Sequence, residues 1–185
     1  FAPIPQSWMW SPSPVTPPGV VTVATAQIDG EAATPVYDYR YPAQLNVLRF
    51  DATTSAHVLR PSGTACVIGV GGGRDLISAL VYGHSRVLGV EINPSMVAML
   101  RAVSERSPTL RNERVLVRVG DGRAIYAGSN VHCEVLQASL VDTWAATSAG
   151  AFAHTESTLY TREAWRVFLH KVAPAGIVTL PGCPA

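Results

Sequence analysis

The sequence predicts an α/β protein built on a Rossmann-like parallel sheet, and three observations support this fold class. An apolar run at residues 66–68 enters a glycine cluster at 69–73, and a helical pattern then leads to a second apolar run that ends in Glu91. This order is typical of a strand–turn–helix–strand unit that binds a nucleotide. Three more strand-like runs follow, with helical patterns among them. The 185 residues, 48% of them hydrophobic, suffice for one well-buried core.

The first 60 residues are predicted to lie outside this sheet. Residues 1–18 contain six prolines and two tryptophans, and we expect an extended arm because proline does not fit a helix interior. Residues 19–60 are predicted to form a small β appendage and a linking helix. Two β-prone runs flank Asp29-Gly30, a strong hairpin signal, and a short helical stretch follows at 51–59. The Rossmann-like domain would then occupy residues 61–185.

Each element of that domain has its own signal. Gly83 is the expected stop of the first helix, and Asn93-Pro94 is the expected start of the second. The last helix, 162–172, is expected to begin after the cap Thr161. The predicted strands are residues 64–69, 86–91, 115–119, 134–138 and 177–180, the first helix is 74–82, and the inward residues of the last helix would be Trp165, Phe168, Leu169 and Val172. This spacing implies right-handed crossovers and the strand order 3-2-1-4-5.

The last predicted strand ends close to the end of the sequence. This fold normally adds an antiparallel edge pair at that point, so the sheet is expected to be truncated before its last strands. A strand edge left open there is a template for pairing with another chain. We regard a homodimer through that edge as one arrangement that the sequence allows.

Composition excludes several classes of function. A formal net charge of +1 gives no electrostatic reason to expect nucleic acid or anionic lipid as a partner. Lys171 is the only lysine, so no Gly-Lys-Ser/Thr exists and a P-loop is excluded. Three cysteines without metal-ligand spacing predict buried free thiols in a reducing compartment. No apolar run is long enough to span a membrane, so we expect a cytoplasmic chain. The cysteines and histidines show no metal-ligand spacing, so no metal is expected.

Candidate ligand residues gather at one edge of the predicted sheet. Ligands of such sheets bind outside the carboxyl ends of the strands, where the strand order reverses. Glu91 lies 22 positions after Gly69, at the distance from which a carboxylate accepts hydrogen bonds from ribose hydroxyls. Asp121 follows the third strand and is suited to accept a hydrogen bond from an adenine amino group. The residues expected to bind the cofactor are Gly69, Gly71, Gly72, Gly73, Glu91, Asp121 and Gly122.

The pattern favours an S-adenosylmethionine-type cofactor over NAD. An acid after the third strand suits an adenosine bound across the first three strands. Arg74 also stands where the dinucleotide fingerprint Gly-x-Gly-x-x-Gly requires its third glycine. An NAD-dependent oxidoreductase therefore remains the weakest of the functions considered.

Six segments resemble, in order, the spermidine synthase (polyamine aminopropyltransferase) family. They are Gly71-Gly72-Gly73-Arg74-Asp75, Val90-Glu91-Ile92-Asn93-Pro94, Gly120-Asp121-Gly122-Arg123, residues 134–142, Leu159-Tyr160-Thr161 and residues 169–178. Residues 139–147 and 159–161 look most like bacterial spermidine synthase-like proteins, in which this domain often follows membrane helices. The resemblance implies a methyltransferase-type fold and the soluble part of a larger membrane protein as one origin of the chain.

The resemblance also implies a chemistry. In that family an amine attacks the carbon next to the sulfonium of decarboxylated S-adenosylmethionine and releases methylthioadenosine. It implies Glu91 at the ribose, Asp121 at the adenine and the glycine loop against the nucleoside. Methyl transfer from S-adenosylmethionine, with S-adenosylhomocysteine as product, is the related alternative.

The acceptor side departs from the family. The family carries Asp-Ser-Ser-Asp after the fourth strand, where its first aspartate is the proposed base, but Ser139 occupies that position here and only Asp142 remains. We therefore treat Asp142 as the candidate catalytic residue, with Trp144 and Tyr160 as walls of an amine acceptor pocket. The sequence predicts a transferase with an unidentified acceptor, and a non-catalytic binding or interaction domain stays open as the alternative.

Overall fold

A five-stranded parallel sheet, with a small antiparallel sheet beside it, organises the chain. The computed structural model describes residues 2–4, 12–17, 21–28, 32–37, 42–104, 111–138 and 159–180. The large sheet consists of β4 (Thr64–Ile68), β5 (Arg86–Glu91), β6 (Val115–Val119), β7 (Cys133–Gln137) and β8 (Val172–Thr179), in the order β6-β5-β4-β7-β8. All its neighbouring strands are parallel. The predicted fold class and strand order are confirmed.

The small sheet has three strands rather than the predicted two. It consists of β1 (Ala2–Ile4), β2 (Val21–Ile28) and β3 (Ala32–Tyr37), paired antiparallel in that order. The Asp29-Gly30 turn lies outside the described residues. β1 lies within the arm for which the sequence predicts only extended chain, because three residues among prolines give no periodic signal.

Six α-helices occur in the described ranges. They are α1 (Pro42–Leu45), α2 (Ser55–Leu59), α3 (Arg74–Tyr82), α4 (Pro94–Ser104), α5 (Gly122–Ala127) and α6 (Arg162–Lys171), and 3₁₀ turns at Asn46–Phe50 and Ala52–Thr54 join the first two. Gly83 ends α3 in the left-handed conformation, as predicted. Asn93 begins α4 as predicted, since its side-chain oxygen accepts the Ser95 N–H at 2.9 Å.

Three details of the prediction are wrong. β8 begins at residue 172 rather than 177, because the Ala-Pro-Ala-Gly stretch, taken as a turn, forms an irregular part of the strand in which Ala175 has φ 61°. No helix is predicted at residues 122–127, because a six-residue helix such as α5 is too short to show a helical period. On α6, Trp165 and Leu169 were expected to face inward but are 37% and 62% exposed, whereas Phe168 is fully buried.

Apolar side chains cover both faces of the large sheet. On the α5/α6 face, Tyr126 and Phe168 pack on Leu88 and Leu136. On the α3/α4 face, Leu76 and Leu100 pack with residues of the central strands. No helix in the described ranges is long and apolar enough to cross a membrane.

The prediction of free buried thiols is wrong for two of the three cysteines. Cys66 and Cys133 are buried, as expected, but they are joined by a disulfide between β4 and β7, with Cα atoms 5.8 Å apart. Residues 67 apart in sequence give no local sign that they will meet. Their approach follows from the crossover that places β7 against β4.

Candidate nucleoside-binding site

Backbone hydrogen bonds tie together the carboxyl ends of three neighbouring strands. The Gly69 N–H donates to the Val90 carbonyl at 2.9 Å, which joins the loop after β4 to β5. The Gly120 N–H donates to the Glu91 carbonyl at 2.9 Å, which joins the end of β6 to β5. The glycine loop, Glu91 and Asp121 therefore share one edge of the sheet, where the sequence places them.

Glu91 is the centre of this edge. It is buried at the end of β5, and both oxygens of its carboxylate accept backbone hydrogen bonds. Oε2 accepts the Gly71 N–H and Oε1 accepts the Asn93 N–H, both at 2.9 Å. A carboxylate has about four lone-pair positions, so these two bonds leave acceptor capacity for hydroxyl groups of a ligand. Glu91 thus fixes the glycine loop against the start of α4 and offers the chemistry that a ribose requires.

The glycine loop lies directly beneath β3 of the small sheet. The Gly72 N–H donates to Thr34 Oγ1 at 2.9 Å. A Cβ at residue 72 would lie 1.9 Å from the Pro35 carbonyl oxygen, so only glycine allows this approach. Part of the glycine signal therefore reflects packing of the small sheet, a contact that the sequence does not reveal.

Asp121 follows β6 and begins α5. Its Oδ1 accepts the Ala124 N–H at 2.8 Å, so the side chain caps the helix, and it is only partly exposed. Gly122 is buried, and a Cβ there would lie 2.9 Å from Ile68 Cγ2, so glycine lets α5 pack closely on β4. Gly122 therefore has a packing role in addition to its predicted place beside the cofactor.

A buried ion-pair cluster follows the glycine loop at the start of α3. The Arg74 guanidinium contacts Asp51 Oδ2 at 2.7 Å, Asp75 Oδ1 at 3.1 Å and Thr53 Oγ1 at 2.6 Å. Burial raises the pKa of the neighbouring Tyr37 hydroxyl to about 12, although the Arg74 charge opposes the rise. These contacts join α3 to the linker, residues 42–63 between β3 and β4, beside the buried Tyr37 of β3.

A second buried polar contact joins the linker to β7. His57 Nε2 lies 2.7 Å from Gln137 Oε1, and His57 Nδ1 lies 3.0 Å from His84 Nε2. The Gln137 amide donates to the Thr53 carbonyl, so its oxygen faces His57, which must carry its proton on Nε2. Burial and the neighbouring His84 lower the pKa of His57 to about 4. The sequence predicts no role for these histidines, because their spacing matches no ligand motif.

We call this set of side chains the linker network; its members are Asp51, Thr53, His57, Arg74, Asp75, His84 and Gln137. Gln137 ends β7, so the linker network reaches the strand from which the predicted acceptor loop departs.

The structure describes little of the predicted acceptor side. Asp142, Trp144 and Ser139 lie outside the described residues. Tyr160 precedes α6 and is 46% exposed. Thr161 caps α6 as predicted, since its hydroxyl accepts the Ala164 N–H at 3.1 Å. Among the residues described, no group of three or more side chains is suited to hold a metal ion.

Comparison with known proteins gives the fold. No protein-family model matches the sequence, and a search of curated proteins found no match. Spermidine synthase from Thermotoga maritima superposes with a TM-score of 0.57 at 11% identity, over 97% of this chain and 66% of that one. A spermidine synthase in complex with the transition-state analogue AdoDATO gives 0.51 at 11% identity, over 93% of this chain and 64% of that one.

Methyltransferase structures match a smaller part of the chain. The amino pentose methyltransferase CalS10 from Micromonospora echinaspora, in its SAM-bound form, gives a TM-score of 0.45 at 22% identity, over 69% of this chain and 46% of that one. The chain thus spans about half to two thirds of the length of these three structures. The five-stranded order, the small sheet and the two spermidine synthase superpositions together show that the chain has the Rossmann-like fold found in spermidine synthases.

Proposed function

We propose that the chain is a spermidine synthase-like transferase domain that binds an adenosyl sulfonium cofactor or its thioether product. The cofactor would be S-adenosylmethionine or its decarboxylated form, and the product S-adenosylhomocysteine or methylthioadenosine. Glu91 would accept hydrogen bonds from the ribose and Asp121 from the adenine amino group. The glycine loop would contact the nucleoside.

The observation that carries the proposal is the hydrogen-bonded edge that joins Gly69, Glu91 and Gly120. It holds two carboxylates on adjacent strands of the sheet, Glu91 at the end of β5 and Asp121 after β6. Ribose hydroxyls and an adenine amino group are hydrogen-bond donors, so a nucleoside requires acceptors of this kind.

The same loop is poorly suited to a dinucleotide. A pyrophosphate binds through free backbone N–H groups at the start of a helix. Here the N–H groups of Gly71, Gly72 and Gly73 donate to Glu91, Thr34 and the Val70 carbonyl respectively. A diphosphate would have to displace these acceptors, two of which are neutral oxygens and one a carboxylate. This disfavours NAD as the cofactor.

The proposed chemistry is displacement at a carbon bound to sulfur. The cofactor, when bound, supplies a sulfonium leaving group. An acceptor amine loses its proton to a base and its nitrogen bonds to that carbon, while the carbon–sulfur bond breaks and leaves a neutral thioether. Such a reaction depends mainly on alignment and on a deprotonated amine. Asp142 is the candidate base, and Trp144 and Tyr160 are the candidate pocket walls.

A binding domain without catalysis is the second candidate, and Ser139 favours it. A serine hydroxyl does not act as a base in place of the aspartate that the family resemblance places there. Turnover of an adenosyl donor with any amine would contradict this alternative.

Calorimetric titration with methylthioadenosine, S-adenosylmethionine, its decarboxylated form, S-adenosylhomocysteine and NADH tests the proposal. Adenosyl thioethers or sulfonium donors should bind and NADH should not. Asp121→Asn should weaken adenosyl binding about 10-fold or more, because asparagine keeps the helix cap but loses the charged acceptor.

The matched control is Asn112→Asp, the reverse substitution at the opposite end of β6. Asn112 Oδ1 accepts the Arg114 N–H at 3.0 Å, and an aspartate at this position preserves the bond. The Asn112→Asp variant should therefore bind adenosyl ligands with the affinity of the unmodified chain. If Asp121→Asn bound adenosyl ligands as tightly as the unmodified chain, Asp121 would not belong to the binding site. Binding of NADH alone would overturn the proposal.

A further inference from the structure

The disulfide between Cys66 and Cys133 lies at the seam of the sheet. The strand order reverses between β4 and β7, which pair through only three register positions: Ala65 with Val135, Cys66 with Leu136 and Val67 with Gln137. The other neighbour of β4 is β5, which follows it after one helix. We call the β4–β7 contact the seam. Among neighbouring strands of the sheet, β4 and β7 are separated by the longest stretch of intervening chain, residues 69–132.

The two cysteines also bracket the candidate site. The glycine loop begins three residues after Cys66, and Asp121 and Gly122 precede Cys133. Every residue proposed to hold the nucleoside therefore lies inside the covalent ring that the disulfide closes. The small sheet, the linker, α6 and β8 lie outside that ring.

We propose that the Cys66–Cys133 disulfide has a structural role, that it encloses the nucleoside-binding segment, and that this domain completes its folding in an oxidising compartment. The inference rests on the proposed function only for the role of the enclosed segment. It replaces the prediction of free thiols in a reducing compartment.

Burial gives the bond a structural rather than a switching role. Both cysteines are 0% exposed and belong to the apolar cluster of the α5/α6 face, together with Leu88 and Phe168. Thiol–disulfide exchange needs a thiolate that can reach a sulfur atom, and apolar burial disfavours both the thiolate and the access. The bond must form before this core closes, and a reductant can reach it only when the core opens.

Bond formation requires an oxidant of the protein-disulfide class. The two thiols lose two protons and two electrons, a sulfur–sulfur bond forms, and the disulfide of the oxidant is reduced to a dithiol. Such oxidants act in compartments outside the reducing cytosol, where disulfides persist. The two cysteines are 67 residues apart, so the cross-link closes a long loop in the unfolded chain. Closing a long loop lowers the entropy of the unfolded chain strongly, and this stabilises the folded state.

Counting free thiols in the full chain tests the pairing. Cells that export the chain to an oxidising compartment are quenched with acid, and the denatured protein is treated with N-ethylmaleimide before and after reduction. We expect one adduct before reduction, at Cys183, and three after it, with a linked peptide that contains Cys66 and Cys133. Three adducts before reduction in a folded chain would overturn the proposal.

Unfolding measurements test the structural role. The chain refolded under reducing conditions, and the variant Cys66→Ala/Cys133→Ala, should melt about 10 °C lower than the oxidised chain. Cys183→Ala is the control and should melt like the unmodified oxidised chain. Equal melting temperatures for oxidised and reduced chains would contradict a structural disulfide, and the reduced chain supplies this test even where the double variant does not fold.

Titration with methylthioadenosine separates this inference from the proposed function. If methylthioadenosine binds the oxidised chain, and the chain shows one adduct before reduction and three after it, the proposed function and the structural disulfide are both supported. Failure of both oxidised and reduced chains to bind the ligand would count against the proposed function, while the adduct counts and melting temperatures would still decide the disulfide.

Discussion

The two faces of the large sheet are attached to their neighbours by different chemistry. On the α5/α6 face, Phe168 and Leu136 pack in an apolar cluster that also contains the disulfide. On the other face, beside the apolar contacts of α3 and α4, the linker network joins α2, α3 and β7 through buried ions, imidazoles and an amide. Apolar packing tolerates many partners, whereas a buried polar group is stable only with its own partner. The polar face therefore specifies where the linker and small sheet dock.

The largest effect should come from the polar face. Arg74→Ala would leave Asp51 and Asp75 buried without their cation, and we expect a loss of about 4 kcal/mol in the free energy of unfolding by urea titration. Arg86→Ala, which removes an exposed guanidinium at the start of β5, is the control and should change stability by less than about 0.5 kcal/mol. Similar losses in the two variants would contradict a special role for the polar face.

On the apolar face, Leu136→Ala should cost about 3 kcal/mol, because Leu136 is fully buried against α6 and the substitution leaves a cavity. Leu169→Ala on the outer side of α6 provides the comparison, since Leu169 is 62% exposed. A loss in Leu169→Ala as large as that in Leu136→Ala would mean that another surface covers α6. Urea titration of both variants measures the difference.

Docking of the small sheet can be disturbed without touching an ion pair. Gly72→Ala should lower the free energy of unfolding by about 2 kcal/mol, because its Cβ would overlap the Pro35 carbonyl and force β3 away from the loop. In Gly128→Ala the new Cβ has an ordinary contact of 3.6 Å with Ala124, and the backbone has φ −81°, so stability should be unchanged or slightly higher. Gly72→Ala without loss would show that β3 does not press on the loop.

Acid should weaken the polar face selectively. The pKa of His57 is about 4 in the folded chain and near 6.5 when unfolded, so the unfolded chain binds more protons between these values. Stability therefore rises with pH across that window, and it should fall by about 2 kcal/mol as pH drops from 7 to 5. His57→Gln should flatten this dependence in urea titrations, whereas His132→Gln, at an exposed position, should retain it. An equal slope in His57→Gln would assign the acid sensitivity to other groups, among them His84, whose pKa is also lowered by burial.

Local signals in the sequence predict the central strands and several helix ends. The apolar runs, Gly83 and Asn93-Pro94 predict the central strands, the end of α3 and the start of α4, because each of these signals depends on adjacent residues. Glu91 and Asp121 could be placed at one edge because parallel strands bring their carboxyl ends together.

The sequence could not predict contacts between distant segments. The linker must fold onto the sheet before His57 contacts His84 and Gln137. The spacing of these residues in the sequence does not predict the contacts. The same is true of Thr34 on the glycine loop and of the Cys66–Cys133 pair. The exposed Trp165 shows the converse error, since an apolar residue at a helical period need not face the core.

From the strand order we also expect an order of assembly during folding. β4, β5 and β6 follow one another along the chain and can pair early, whereas the second edge of β4 stays open until β7 arrives. Pairing across a long stretch of chain is slow because loop closure must precede the contact. During synthesis, the half of the sheet that carries Glu91 and Asp121 would therefore assemble first, with an exposed edge that is prone to aggregation until the seam closes.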